Sequence, residues 1–124
     1  MDIQPLTGVS FGYSNILKTL YKKGKLPTVK YGFYGEPLTK KNVTLEHLKC
    51  ISHGGKTELK NLVLATANKN QERGASPLVD MLNWEYAGRY LEQFRNVVVG
   101  CFNGNQYIEM ILNTIKELLN VEIV

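Results

Sequence analysis

The chain has 124 residues, 44% of them apolar, enough for one domain with its own core and too few for two large ones. Its two cysteines, Cys50 and Cys101, lie far apart without CxxC spacing, which suggests neither a disulfide scaffold nor a zinc knuckle and reads as two reduced thiols. The net charge of +4 is unevenly divided: residues 1–74 hold twelve Lys/Arg against five Asp/Glu (+7), residues 75–124 three against six (−3). A basic front of this kind suits a polyanion, because neutralised phosphates release counterions. Lysines on solvated faces are also ordinary, so charge alone favours nucleic acid only modestly.

The opening residues, MDIQPLTGVSFGY, have neither a basic start nor an apolar run of signal length, and no stretch approaches eighteen consecutive apolar residues. The expectation is a soluble, unexported protein with no membrane partner. Ser14 is placed to cap a helix in which Ile16, Leu17, Leu20 and Tyr21 share a stripe, stopped by Gly24 and Pro27. The stretch TVKYGFYGEPLT mixes β-formers with Gly and Pro at short intervals and predicts irregular strand and turn pieces.

Val43, Thr44 and Leu45 form a strand candidate that runs into Glu46 and His47. A loop of about a dozen residues follows, in which Gly54 and Gly55 allow conformations closed to other residues. Asn61 then precedes Leu62, Val63, Leu64 and Ala65, a buried-strand pattern expected to pair antiparallel with the first strand. Thr66 is placed to cap a short helix that Gly74 ends. Ser76 and Pro77 predict a further helix start, with an apolar face through Leu78, Met81, Leu82 and Leu91 to about Phe94, and with Trp84 and Tyr86 in the core. NVVVGCFNGN reads as a short strand or a buried turn, and a last helix is expected from about Asn105 on Ile108, Ile111, Leu112, Ile115 and Leu119. No repeat or low-complexity linker divides the chain, so these helices are expected to pack onto the same domain.

The densest chemistry lies in TLEHLKCISHGGKTELKNLVLATANKNQERG. Phosphodiester hydrolysis needs a water, a base to take its proton and a cation at the scissile phosphate. His47 is the candidate base, because imidazole titrates near neutral pH. Glu46 and Asn70 offer hard oxygen ligands suited to Mg²⁺. Neighbours on a strand point in opposite directions, so Glu46 and His47 are kept apart as metal ligand and base. Asn70 and Arg73, three apart on a helix, share a face, whereas Asn68 points elsewhere. His53 in SHGG is read as an exposed loop residue.

In order, Glu46-His47, Gly54-Gly55, Asn61-Leu62, Asn70 and Arg73-Gly74 resemble the HNH endonucleases and their ββα-metal motif. The likeness covers roughly residues 43–78. It implies an α+β fold, a ββα-metal core of about 43–74 with an N-terminal helix and two C-terminal helices packed on it, the extension running about 77–124 of a single 1–124 domain. It further implies a metal-dependent DNA endonuclease with His47 as general base and Glu46 and Asn70 holding one divalent ion, Mg²⁺ or alternatively Mn²⁺. Asn61 would brace the loop, and Arg73, with Lys49, Lys56 and Lys69, would contact nucleic acid. Many relatives clamp a structural zinc with CxxC pairs; here Tyr31, Tyr34, Thr66 and Lys69 stand at those positions, so no structural zinc is expected and Tyr31, Phe33 and Tyr34 are expected to fill the space.

The resemblance also suggests a phage or bacterial cytoplasmic setting. The acidic C-terminal helices are candidates for a protein partner or a homodimer contact. The rival from another class is a nucleic-acid-binding or assembly protein that keeps the fold without turnover. RNA is not excluded as substrate by the ligand types alone.

Overall fold

The computed structural model describes residues 15–122, with side chains through Asn120. Helix α1 (Ile16–Lys22) buries Leu17 and turns lysines outward. Gly24, at φ 74°, ends it: Lys25 N–H reaches Leu20 O and Gly24 N–H reaches Tyr21 O, the paired bonds of a glycine-terminated helix. The capping role expected of Ser14 lies outside the described residues.

Strands β1 (Val43–His47) and β2 (Leu62–Thr66) pair antiparallel, with Leu45 opposite Leu64 and Glu46 opposite Val63. Every residue of β2 is buried, which its continuous apolar run requires of a strand covered on both faces. A sheet of two strands leaves two open edges, and buried backbone groups there must find partners. The outer edge of β2 is closed by unlike parts. Phe33 N–H donates to Leu64 O at 2.9 Å, Leu64 N–H donates to Tyr90 Oη at 3.0 Å, and Tyr107 Oη donates to Leu62 O at 2.7 Å. The two hydroxyls also meet each other at 2.9 Å. Burial pushes both phenols well above their ordinary range, so they stay protonated and able to serve the strand.

Helix α2 (Ala67–Arg73) follows β2 directly; the Thr66 hydroxyl accepts from Lys69 N–H and Gly74 closes the far end, as the sequence predicts. The single helix expected over 77–94 is instead two, α3 (Leu78–Met81) and α4 (Trp84–Glu92). The chain breaks at Leu82 and Asn83, both extended, because the Asn83 side chain accepts from Tyr86 N–H and opens a new helix there. Trp84 and Tyr86, expected in the core, sit in the first turn of α4 and are 52% and 38% exposed. Ala87, Tyr90 and Leu91 form the buried face of that helix instead.

NVVVGCFNGN folds as a hairpin of β3 (Val98–Val99) and β4 (Phe102–Asn103), which leads into α5 (Gly104–Glu122). Gly104 is tight against Phe94: a Cβ there would lie 2.0 Å from Phe94 O. The buried face of α5 is Tyr107, Ile111, Ile115 and Leu118; Ile108, Leu112 and Leu119 of the expected stripe are only partly covered. Tyrosine thus displaces an aliphatic residue at the head of the stripe, because its hydroxyl is needed at β2.

One hydrophobic cluster runs from Leu17 through both strands to Leu118. Its centre is aromatic, with Phe33, Tyr90, Phe94, Phe102 and Tyr107 in successive edge contacts 4.9–6.0 Å between centroids. The fold is α+β, built of helices and two small antiparallel sheets. Among the described residues no helix is long and apolar enough to cross a membrane.

Candidate active site

β1, the loop after it and α2 converge on one region, and each places side chains differently. Along β1 the side chains alternate, so Glu46 is buried, 5% exposed, whereas His47 is half-buried and faces the loop. Glu46 Oε2 accepts from the Tyr34 hydroxyl at 2.7 Å and from Arg73 Nη1 at 3.2 Å. Burial, followed by the charge of Glu46, holds the Tyr34 phenol far above its usual range, so it remains a donor. Glu46 Oε1 accepts no hydrogen bond among the described residues.

Arg73 departs most from expectation. As a phosphate contact it would be open to solvent, yet it is 2% exposed and its guanidinium is spent inside the protein. Nε donates to Ser76 O at 2.9 Å, Nη1 to His47 O at 2.8 Å and Nη2 to Leu48 O at 2.7 Å, besides the contact with Glu46. Burial works against the charge, yet the Arg73 pKa is raised on balance, and the Glu46 carboxylate beside it helps hold the guanidinium protonated. Arg73 is therefore corrected from a nucleic-acid contact to an internal brace. It fixes the backbone of His47 and the strand exit while neutralising a buried carboxylate.

Asn70, one turn before Arg73 on α2, faces β1 as well. Its Nδ2 donates to Thr44 Oγ1 at 3.2 Å and to Leu45 O at 3.0 Å, which leaves Oδ1 without a protein partner among the described residues. Glu46 and Asn70 are thus brought to the same stretch of β1, each with one unclaimed oxygen.

Asn61 closes the loop from its far end. Oδ1 accepts from Lys49 N–H at 2.8 Å, and Nδ2 donates to Lys49 O at 3.1 Å and Lys56 O at 2.8 Å. The glycine pair does its own work here: a Cβ on Gly55 would lie 1.8 Å from Lys49 O, so only glycine lets the returning chain come this close. His47 Nε2 lies 3.0 Å from Thr57 Oγ1, and Nδ1 has no partner among the described residues. Burial lowers the His47 pKa below 6.5, with Arg73 adding to the effect and Glu46 opposing it, so the ring is neutral at pH 7.

The cations are distributed around this centre. Lys49, Lys56 and Lys60 are exposed and line a cleft of about 360 Å³ between the loop and α5, together with Asn61, Glu58 and Glu117. Thr114 of α5 ties that wall to the loop by donating to Lys60 O at 2.7 Å. Lys69 pairs with Glu72 at 3.2 Å on α2. His53 is exposed on the loop.

At the positions that would carry a zinc clamp, Tyr34 is buried and Phe33 fills the space beside it, edge to face at 5.2 Å. Tyr31 does not join them: it is 39% exposed, because Gln93 takes its backbone N–H and C=O from outside the core. The hydrogen bond of Tyr34 to Glu46, Thr57 and the internal role of Arg73 have no signal in the sequence. Tyr34 reads there only as an aromatic filler among β-formers and glycines, and Thr57 is one of several polar residues in a loop whose closure alone selects it.

A divalent ion was expected on Glu46 and Asn70. Their unclaimed oxygens, one of them buried, are the hard donor type such an ion takes. Among the described residues no group of three or more His, Cys, Asp or Glu could hold a metal; an ion on the Glu46 and Asn70 oxygens would take water and phosphate for the rest of its shell. No family model, no curated protein and no solved structure matches this chain.

Proposed function

We propose that the β1–loop–β2–α2 unit is a ββα-metal site of HNH type that hydrolyses phosphodiester bonds in DNA. The observation that carries this reading is an imidazole, His47, whose Nδ1 has no partner among the described residues, next in sequence to a carboxylate whose Oε1 is unclaimed, while Asn70, hydrogen-bonded to Thr44 and Leu45 of the same strand, keeps its Oδ1 unclaimed. His47 takes a proton from water, the resulting hydroxide attacks phosphorus, the P–O bond to the 3′ oxygen breaks and that oxygen takes a proton from a solvent water, leaving a 5′-phosphate and a 3′-hydroxyl. A divalent ion on Glu46 and Asn70 would neutralise charge on the leaving oxygen and hold the phosphate. Asn61 keeps the loop closed over the base, and Lys49, Lys56 and Lys60 along the cleft hold the DNA backbone without reading its sequence.

The Glu46–Arg73 ion pair favours a second reading. A carboxylate whose charge is already neutralised attracts a cation less, which suits a protein that binds nucleic acid or an assembly without turnover.

Plasmid nicking with Mg²⁺ or Mn²⁺ separates the two. The nuclease reading expects nicking that His47→Ala lowers about a hundredfold or more, with DNA binding retained. Binding without nicking in either metal supports the second.

A further inference from the structure

We propose that Thr57 is the positioning residue that fixes His47 as the Nε2–H tautomer, leaving Nδ1 as the nitrogen that accepts a proton. This rests on His47 acting as a base, as proposed above, and names the residue that makes it one. Neutral imidazole has one N–H and one lone pair, so the partner of one nitrogen dictates the chemistry of the other.

Here the only partner given to the ring among the described residues is the Thr57 hydroxyl, 3.0 Å from Nε2. If that hydroxyl donated, Nε2 would spend its lone pair on threonine and Nδ1 would carry the proton, leaving no nitrogen free to act on water. If Nε2–H donates, Thr57 Oγ1 accepts, its own hydrogen turns to solvent and the Nδ1 lone pair stays free. Only the second arrangement serves a base.

Thr57 is exposed, so its side chain is not held by packing. Its backbone is held on both sides instead. Before it, Asn61 Nδ2 grips Lys56 O at 2.8 Å and Gly55 N–H donates to Cys50 O at 2.9 Å. After it, Asn61 N–H donates to Glu58 O at 2.8 Å. The relay runs from the Asn61 amide through the Lys56 carbonyl to Thr57 and on to the imidazole. Asn61 therefore acts on the base through the loop it closes, and valine at position 57 would keep the shape and lose the acceptor.

Long-range ¹H–¹⁵N spectra of the full chain, recorded above the titration of the ring, read the tautomer directly; His53→Gln assigns the two histidines. The expected result is Nε2–H for His47 in wild type and in Thr57→Ser, and a mixture of tautomers in Thr57→Val. With plasmid DNA and Mg²⁺, Thr57→Val should lower kcat about tenfold, the net worth of one hydrogen bond, at unchanged KM, and Thr57→Ser should restore it. An Nδ1–H tautomer in wild type overturns the proposal, as does a Thr57→Val spectrum identical to wild type. A Thr57-dependent Nε2–H tautomer in a protein that never nicks DNA would uphold the orientation and remove the nuclease reading.

Discussion

Replacing Arg73 with methionine keeps much of the side-chain volume and removes the cation. The Glu46 carboxylate, 5% exposed, then loses the guanidinium 3.2 Å away, and the carbonyls of His47, Leu48 and Ser76 lose their donors. Breaking a buried pair from one side typically costs about 3–5 kcal/mol, because the remaining charge stays buried without compensation. In a domain of this size about 4 kcal/mol corresponds to a loss of roughly 10–20 °C in Tm. Urea unfolding is the cleaner assay, with an unchanged m-value guarding against a change of mechanism.

Arg73→Met combined with Glu46→Gln should recover about 1–3 kcal/mol of that loss, since the stranded charge is gone while the unmet carbonyls remain. A surface arginine waiting for phosphate would instead cost within about 0.5 kcal/mol. A change that small in Arg73→Met, or strict additivity in the double variant, would refute the internal role.

Asn61→Ala removes three side-chain hydrogen bonds to Lys49 and Lys56 and should cost about 2–3 kcal/mol in urea titration; a loss under about 0.5 kcal/mol would show that the loop closes without it. Gly55→Ala drives a Cβ to within 1.8 Å of Lys49 O, so the turn must open, and amide exchange at residues 49–57 should accelerate while β2 stays protected. Tyr107→Phe leaves Leu62 O without its donor at a fully buried site and should cost about 1–3 kcal/mol; a thermal melt unchanged from wild type would contradict the edge-closing role. The folded pKa of His47 lies below the unfolded 6.5, so the unfolded chain binds more protons as pH falls through 6.5. Stability from this group is complete above pH 6.5 and declines below it, and His47→Gln should flatten that part of the urea-midpoint profile; superimposed profiles would contradict the lowered pKa.

Where the signal was local, the sequence carried it. The apolar run Leu62–Ala65, the Thr66 cap, the Gly74 stop and the Gly54-Gly55 turn are consequences of backbone geometry over a few residues, and all stand where the pattern puts them. The closing role of Asn61 was legible for the same reason, since an amide at the end of a loop has backbone groups within reach. The break at Leu82–Asn83 was not, because the apolar periodicity continued through it and the Asn83 cap outweighed it.

By itself, then, the sequence determined the strand–loop–strand–helix unit, with Glu46 and His47 on its first strand, Asn61 at the end of its loop and Asn70 on its helix. Tertiary structure decided what the long side chains do. An arginine three residues after an asparagine shares its helix face, but whether that face meets solvent or a buried carboxylate depends on what packs there, and Tyr34, from 39 residues away, packs there. In the same way, tyrosines at 90 and 107 read as core aromatics until an open strand edge needs their hydroxyls. Polar groups are assigned by the unmet partners that the fold brings within about 3 Å, and no pattern along one chain specifies those.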